Sequence, residues 1–521
     1  MDTAVDHDVV VVDEFDALSI EVKTSSIAVE SVNSVAPIPA KFPAKLHARK
    51  VAAELNVSDG LVFLPGEPSR SYEDSDMGPT FRQRRYFYYL SGANFADCAV
   101  TYELASDRLI LWIPYVEPRQ VLWFGRTPGI AECLKQFDLD DVRYTTQLNK
   151  FLYRHLAPGS TLYVLHPDQV PLSGEFLREM ADVRVDLTAL QPAVDQARVV
   201  KTEYEVAMIR KANAVSAAAH RRVAERLLHL ENESEIEAIF QAFCTAAGAR
   251  EQSYAIIAGS GRNAGTLHYD ANNEPLEGRD VVVFDAGCEW HCYASDITRT
   301  LPIPGRWSKE AAAVYEIVQQ MQDECIDLIR PGTLFFDLHI HASAVAQRGL
   351  LKLGVLKGDA SEVWEAGTVA AFFPHGLGHH VGLEVHDVTG RERLLLQKNI
   401  LGSGRVGKRE VVTPEMMGFI ARAQVSAAAA PPPYKGRQYL RKNMIVTVEP
   451  GVYFCREYIE GYFLSNPKHA RFINKDVLEK YYRVGGVRIE DDILVTDDGY
   501  ENLSTGAPKG EELLRVINGK A

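Results

Sequence analysis

Two acidic residues that end apolar strands constrain most strongly how this chain can fold. Asp280–Thr300 reads DVVVFDAGCEWHCYASDITRT, in which the apolar run Val281–Phe284 ends at Asp285 and Asp296 follows after ten intervening residues. The pattern predicts two buried strands, each of which delivers one carboxylate. A carboxylate at the end of a buried strand needs a cation or hydrogen-bond donors, because its desolvation costs free energy. The pair is therefore a candidate metal site, and two acids satisfied by backbone N–H groups or by Arg are the alternative.

Three later segments add further candidate ligands and favour the metal site. Pro374–Asp387 reads PHGLGHHVGLEVHD, Thr447–Gly451 reads TVEPG and Val487–Asp492 reads VRIEDD. Four carboxylates and one imidazole suffice for two divalent cations about 3.5–4 Å apart. Oxygen-rich ligation with a single His favours Mn²⁺, with Co²⁺ or Zn²⁺ as alternatives, over a metal that prefers thiolates. The predicted ligands are Asp285, Asp296, His379, Glu449 and Glu490.

These motifs carry a family resemblance. ASDITRT, HGLGHHVGLEVHD, TVEPGVYF and GGVRIEDD, in this order, resemble the proline-specific metallopeptidases, Xaa-Pro aminopeptidase (aminopeptidase P) and Xaa-Pro dipeptidase (prolidase). The likeness covers about residues 41–510, and the segment FRQRRYFYYLSGAN, Phe81–Asn94, is most similar to fungal members. The resemblance implies an α+β chain, with a mixed α/β amino-terminal domain followed by a pita-bread catalytic domain built on a curved antiparallel sheet.

The resemblance also implies an activity and roles for single residues. A dinuclear metal enzyme of this kind removes the amino-terminal residue from peptides that have proline in the second position. Glu449 would bind metal and act as general base and then as general acid. His386 and His268 would hydrogen-bond the substrate or the oxyanion, and His375 would line the pocket. Arg488 would hold the ligating carboxylates in place.

Other functions stay open at this point. A prolidase must bind the free carboxylate after proline, and in prolidases an Arg from the insertion before the last motif does so. Here that insertion, Leu464–Asn474, places His469 at the expected position, with Arg471 close by. Methionine aminopeptidases share the five ligands, but this chain has an extra amino-terminal domain and a His seven residues after His379. A non-peptidase relative that keeps the fold and loses the metal is disfavoured, because all five ligand positions are filled.

The chain is long enough for two domains, since 521 residues exceed one ordinary hydrophobic core. We predict a disordered extension over 1–40, an amino-terminal domain over 41–192 and a catalytic domain over 196–510. An insertion at about 400–436 contains the low-complexity run Ala427–Pro433. A capping-box pattern at Thr202 and Glu205 predicts the start of a long helix. Further predicted helices are Glu233–Ala247, Ala311–Leu328 and Leu338–Leu353, and the predicted strands are Leu61–Leu64, Tyr86–Leu90, Cys98–Leu104, Arg108–Ile113, Tyr254–Ile257 and Val281–Phe284.

Composition limits the partners and the compartment. A net charge of −14 without a basic cluster argues against nucleic acid and against an anionic membrane surface as partners. No apolar run approaches the ~20 residues that span a bilayer. Seven scattered cysteines indicate reduced thiols, and a zinc site at Cys288 and Cys292 is disfavoured because no second pair accompanies them. The first 22 residues contain no Lys or Arg, unlike a signal or transit peptide, so we expect a cytoplasmic enzyme. Family members are often dimers, so the resemblance allows a homodimer, although the sequence does not report the oligomeric state.

Overall fold

The computed structural model describes residues 41–171, 182–395 and 436–520. Within these ranges the chain divides into two compact units. The amino-terminal unit contains residues up to Tyr204 together with Val388–Arg391, and the carboxy-terminal unit contains Glu205–Asp387 and the chain from Glu392 onward. The predicted extension 1–40 and nearly all of the predicted insertion 400–436 lie outside the described residues.

The amino-terminal unit is a mixed sheet with helices, as predicted. Its six strands pair in the order β4-β3-β2-β1-β5-β6, with β1–β2 and β2–β3 antiparallel and the other pairs parallel. The side chains of Phe63, Trp112 and Phe151 form the centre of one apolar cluster against this sheet. The elements are α1 Ala44–Leu55, β1 Leu61–Pro65, α2 Arg85–Ser91, β2 Ala99–Glu103, β3 Arg108–Ile113, α3 Pro118–Phe124, α4 Ile130–Gln136, β4 Asp141–Tyr144, α5 Leu148–His155, β5 Thr161–Tyr163, β6 Arg184–Asp186 and α6 Leu190–Val199.

The prediction of a strand at Tyr86–Leu90 was wrong, because these residues lie in helix α2. The prediction rested on the aromatic residues of this segment, which favour strands. Most of the helix is buried, so no polar face reveals the helical period in the sequence. The Ser91 hydroxyl donates to the Phe87 carbonyl at 2.8 Å, one helical turn away, and Gly92 ends the helix with a left-handed φ of 73°.

The carboxy-terminal unit combines long helices with short antiparallel strands. None of the helices among the described residues has the length and apolar character needed to cross a lipid bilayer. The elements are α7 Glu203–Arg226, α8 Glu233–Ala246, β7 Ile257–Ser260, β8 Val281–Asp285, β9 Thr298–Pro302, α9 Lys309–Asp327, α10 Phe335–Lys352, α11 Ala360–Ala366, β10 Ile445–Val448, β11 Gly451–Tyr453, α12 Arg456–Tyr458, α13 Pro467–Ala470, α14 Lys475–Leu478, β12 Gly486–Arg488, β13 Asp491–Val495, β14 Tyr500–Asn502 and α15 Gly510–Ile517.

Every strand pair of this unit is antiparallel. The strands form three ladders, β7-β8-β9, β10-β13-β14 and β11-β12. Two isolated antiparallel bridges extend this pairing, one between Thr298 and Glu490 and one between His380 and Val446. The four sequence motifs, which are far apart along the chain, therefore meet on one antiparallel array.

The core of this unit explains where its helices and strands lie. Helices α7, α8 and α15 pack on β8 through an apolar cluster that includes Val215, Phe240, Phe284 and Leu513. The predicted strand Tyr254–Ile257 overlaps β7 only at Ile257, which pairs with Asp285, the last residue of β8.

Candidate metal centre

The two aspartates lie on neighbouring strands of one ladder. Asp285 is the last residue of β8 and pairs in register with Thr298, the first residue of β9. Asp296 precedes β9 by two residues, and both carboxylates are buried. The antiparallel pairing of β8 with β9 thus brings together two acids that are separated by a ten-residue loop.

Backbone hydrogen bonds hold the other three candidate ligands beside this ladder. The amide of His379 donates to the Thr447 hydroxyl at 3.0 Å, and the Thr447 amide donates to the His379 carbonyl at 2.8 Å. The Glu449 amide donates to the Leu377 carbonyl at 2.8 Å. The Glu490 amide donates to the Thr298 carbonyl at 3.0 Å, so it lies directly next to β9.

The side chains converge on the imidazole of His379. Its Nε2 atom lies 3.4 Å from an oxygen of Asp296, 3.4 Å from Glu449 Oε1 and 4.0 Å from Glu490 Oε1. Ligand atoms of Asp296, His379 and Glu490 all lie within 4.8 Å of one another, which is compatible with one bound metal ion. Asp285 joins this group through Tyr254, whose hydroxyl is 2.5 Å from both Asp285 Oδ1 and Asp296 Oδ1.

The electrostatics of the cluster fit divalent cations. His379 Nε2 and Glu490 Oε1 are buried and have no hydrogen-bond partner among the described residues. Burial and the neighbouring carboxylates raise the pKa of Glu490 well above its ordinary value, and burial raises the pKa of Glu449 to about 7. Burial alone would lower the pKa of His379, but Asp296 and Glu449 raise it to about 9. Bound cations would coordinate these atoms and lower the pKa of the carboxylates, so that the carboxylates are charged. A set of oxygens with one imidazole nitrogen suits Mn²⁺ or Zn²⁺.

Arg488 connects the cluster to a second group of buried side chains. Its guanidinium donates to Asp285 at 2.7 Å and to the Tyr453 hydroxyl at 2.9 Å. The Tyr453 hydroxyl lies 2.9 Å from Nε2 of His375, whose Nδ1 lies 2.8 Å from the Gly376 carbonyl. Burial and the charge on Arg488 lower the pKa of His375 to about 3, so the ring is neutral. Nδ1 therefore carries the proton, and Nε2 accepts from Tyr453.

The remaining predicted histidines lie at the edge of the cluster. The His386 ring lies edge-on to His379 with 4.3 Å between ring centroids, and His386 is solvent-exposed. His268 is also exposed, in the segment after β7, and contributes to the electrostatics of His375 and His386. His380 points elsewhere, since its Nε2 bonds the side chain of Gln438.

The two aspartates after Glu490 have other partners. Asp491 accepts from Arg299 at 2.7 Å and from Lys509 at 3.1 Å. Asp492 accepts from the amide of Asp296 at 3.0 Å. Neither belongs to the group of ligand atoms formed by Asp296, His379 and Glu490.

Sequence reasoning missed the uncharged hydroxyl groups that orient the ligands. Thr298 donates to Glu490 Oε2 at 2.7 Å and accepts from Arg488 at 3.2 Å. Tyr254 bridges the aspartates, and Tyr453 joins Arg488 to His375. Thr298 and Tyr453 lie inside the quoted motifs, so their proximity to the ligands was a usable signal. Tyr254 lies in no motif, and the sequence contains no signal for its position.

Comparison with known proteins identifies the family. Residues 207–497, more than half of the chain, match the model of metallopeptidase family M24. The chain belongs to metallopeptidase family M24. Residues 45–163 match the aminopeptidase P amino-terminal domain. The predicted family, the predicted metallopeptidase class and the predicted fold are therefore confirmed.

Several members of family M24 are similar over their whole length. A probable Xaa-Pro aminopeptidase of Colletotrichum graminicola is 84% identical over 526 residues, which cover 100% of both chains. One from Metarhizium acridum is 58% identical and covers 98% of this chain and 99% of its own. Zinc-substituted Escherichia coli aminopeptidase P in complex with product has a TM-score of 0.72 at 26% identity, and covers 92% of this chain and 99% of its own.

Proposed function

We propose that this protein is an Xaa-Pro aminopeptidase, which hydrolyses the bond between an amino-terminal residue and a following proline. The observation that carries the proposal is the cluster of Asp296, Glu449 and Glu490 around His379, in which two buried ligand atoms lack a hydrogen-bond partner among the described residues. The full-length similarity to probable Xaa-Pro aminopeptidases supports the same substrate class.

The proposed cofactor is a pair of divalent cations, Mn²⁺ in preference to Co²⁺ or Zn²⁺. When bound, they would acidify water, polarise the substrate carbonyl and neutralise the crowded carboxylates. Arg488 donates a hydrogen bond to Asp285 at 2.7 Å, and the Tyr254 hydroxyl lies 2.5 Å from an oxygen of Asp285 and 2.5 Å from an oxygen of Asp296. The residues that would hold the cations are Asp285, Asp296, His379, Glu449 and Glu490.

Glu449 would carry out the proton transfers. Burial raises the pKa of Glu449 to about 7 in the cluster without cations, so its surroundings disfavour the charged form there. Glu449 would accept a proton from the attacking water and return it to the proline nitrogen as that nitrogen leaves. His386 and His268 would donate hydrogen bonds to the carbonyl oxygen as its negative charge develops. His375, held by Tyr453, would form the wall against the proline ring.

The position of Arg471 favours an aminopeptidase over a prolidase. Arg471 is exposed, lies 3.8 Å from the carboxylate of Glu362 and stacks on the ring of Phe472. His469, at the position expected for the prolidase Arg, is buried and pairs with the Thr368 hydroxyl at 3.0 Å. Burial lowers the pKa of His469 to about 4, so its ring is neutral and offers no charge to a substrate carboxylate.

Paired substrates test this assignment. The protein loaded with Mn²⁺ should hydrolyse an Xaa-Pro-Yaa tripeptide with a kcat/KM at least equal to that for the Xaa-Pro dipeptide. The variant Arg471→Ala should leave this ratio unchanged, and Arg483→Ala, which removes another exposed Arg, is the matched control. A preference for the dipeptide of a hundredfold, about 2.7 kcal/mol, that disappears in Arg471→Ala would make the protein a prolidase.

A homodimer and a cytoplasmic location are also proposed. Leu122, Trp123 and Phe124 on helix α3 are the three most exposed large apolar side chains of the described residues, at 79%, 73% and 84%. Contiguous apolar groups of this kind are typical of protein–protein contacts. Light scattering should show a dimer that Trp123→Ser weakens and the control Tyr72→Ser does not, and a wild-type monomer would contradict the proposal.

The cytoplasmic location is supported by the seven cysteines, which are all free thiols, because reducing compartments keep cysteines in this form.

A further inference from the structure

Helix α7 carries a row of polar side chains on a face that is otherwise apolar. Asn213, Ser216 and His220 recur at intervals of three and four residues, so they share one face of the helix. All three are buried, beside neighbours such as Val215 and Ala219 that are also buried. Buried polar groups cost free energy unless they are hydrogen-bonded, so their contacts indicate what this row is for.

Two members of the row hold the loop that follows Asp285. His220 Nε2 lies 2.9 Å from the carbonyl of Ala286, the residue directly after Asp285, and donates to it. The Ser216 hydroxyl accepts from the Cys288 amide at 2.9 Å and shares a 2.9 Å hydrogen bond with the Ser295 hydroxyl. The helix thus fixes the backbone immediately after the first aspartate and the residue immediately before the second.

The third member reaches Asp296 through one intermediate residue. Asn213 Nδ2 donates to Asp492 Oδ2 at 2.7 Å, and the same oxygen accepts the amide of Asp296 at 3.0 Å. The Ser504 hydroxyl donates to Asn213 Oδ1 at 2.9 Å, which fixes the orientation of the Asn213 amide. Asp492, which is not a predicted ligand, therefore acts as the link between helix α7 and the second aspartate.

We propose that Asn213, Ser216 and His220 are positioning residues that set the separation of the Asp285 and Asp296 carboxylates, and thereby the affinity of the site for divalent cations. The inference rests on the proposed metal site. The geometry supports it because the contacts of these three residues fall near both ends of the loop that joins Asp285 to Asp296, beyond the in-register pairing of β8 with β9. Residues that orient metal ligands in this way affect affinity by about 10- to 100-fold when changed.

A purely structural role for the row makes a different prediction. In that case the loss of a hydrogen bond would lower the stability of the cation-free and cation-loaded protein equally, and cation affinity would not change. A positioning role lowers the affinity itself, so the stabilisation gained by adding the cation shrinks. The two roles are therefore separated by a binding measurement, independently of peptidase activity.

The experiment uses isothermal titration calorimetry of Mn²⁺ into the full-length protein after treatment with EDTA. Ser216→Ala should weaken Mn²⁺ binding about tenfold, and at saturating Mn²⁺ its kcat should return to near the wild-type value. Ser343→Ala is the matched control, because its buried hydroxyl on helix α10 donates to the His339 carbonyl of the same helix, away from the two aspartates in sequence. The control should lose some stability and keep wild-type affinity.

A second variant, Asn213→Leu, carries the test if Ser216→Ala does not fold. It removes the donor to Asp492 and leaves the Asp285 side of the loop untouched, so it should also weaken Mn²⁺ binding. Wild-type affinity in the folded variants would overturn the inference and leave the metal site intact. A wild-type protein that binds no Mn²⁺ would instead overturn the proposed function, and with it the inference.

Discussion

Replacing Glu449 by Gln should stabilise the cation-free protein at alkaline pH while it abolishes peptidase activity. Glu449 lies 3.4 Å from His379, and its burial together with the carboxylates of Asp296 and Asp285 raises its pKa from 4.5 to about 7. At pH values between 4.5 and about 7, Glu449 has lost its proton in the unfolded chain but keeps it in the folded protein. The free energy of unfolding therefore falls as pH rises through this window, and above it the full penalty is present.

The size of the effect follows from this difference in pKa. At about 1.4 kcal/mol for each pKa unit, the gap between 4.5 and about 7 corresponds to about 3 kcal/mol. Part of this loss has already occurred at pH 5, so about 2–3 kcal/mol should separate pH 5 from pH 8. Glu449→Gln has almost the same shape and cannot ionise, so it escapes this loss. With Mn²⁺ present the order should reverse, because the variant lacks a ligand.

Urea unfolding of protein treated with EDTA, at pH 5 and at pH 8, measures the difference directly. Between pH 5 and pH 8 the free energy of unfolding of Glu449→Gln should rise by about 2–3 kcal/mol relative to that of wild type. Glu365→Gln, at an exposed position on helix α11, is the matched control and should show no such gain. If Glu449→Gln tracked wild type at both pH values, burial and the neighbouring carboxylates would not disfavour the charge on Glu449, and the electrostatic account of the site would be wrong.

Three further predictions concern single side chains. Wild-type protein reconstituted with Mn²⁺ should contain about two ions per chain by elemental analysis, and Asp296→Asn should contain fewer, so full metal content in this variant would contradict its role as a ligand. His386→Ala should lower kcat about 10²- to 10³-fold, whereas an effect on KM alone would show that His386 contributes only to binding. Burial lowers the pKa of His339 to about 4. Below pH 6.5 the His339 side chain is therefore protonated in the unfolded chain but stays neutral in the folded protein, so the free energy of unfolding falls as the pH falls. His339→Leu should remove about 2 kcal/mol of the loss between pH 7 and pH 5 in urea unfolding, and an unchanged pH dependence would show that the folded protein tolerates the charged ring.

The candidate site could be predicted largely from the sequence because its ligands are chemically conspicuous. Acids at the ends of apolar strands need a cation or hydrogen-bond donors, and the structure brings Asp296, Glu449 and Glu490 around His379. The hydroxyl groups that orient these ligands could not be found in this way. A Tyr such as Tyr254 is an ordinary core residue in most sequences, and only its tertiary position makes it a bridge between two aspartates.

The errors in secondary structure have the same origin. Alternation of polar and apolar residues predicts an element only where one of its faces meets water. Helix α2 is buried on nearly all sides, so its aromatic residues suggested a strand. The helices α9 and α10, which keep a polar face, were predicted to within a few residues. The start of β7 is set by its pairing with Asp285, a long-range contact that local sequence does not encode.

The bridge between Thr298 and Glu490 has a consequence for how the protein is made. The contacts of Glu490 with Thr298 and of Arg488 with Asp285 span 192 and 203 residues. At about 5–20 residues per second, a ribosome needs roughly 10–40 s to extend the chain that far. During this interval the nascent chain contains both aspartates without Arg488, which pairs with Asp285. A chain that stops before Arg488 would therefore lack β13, the middle strand of the ladder β10-β13-β14, as well as Glu490, and we expect proteases to remove it.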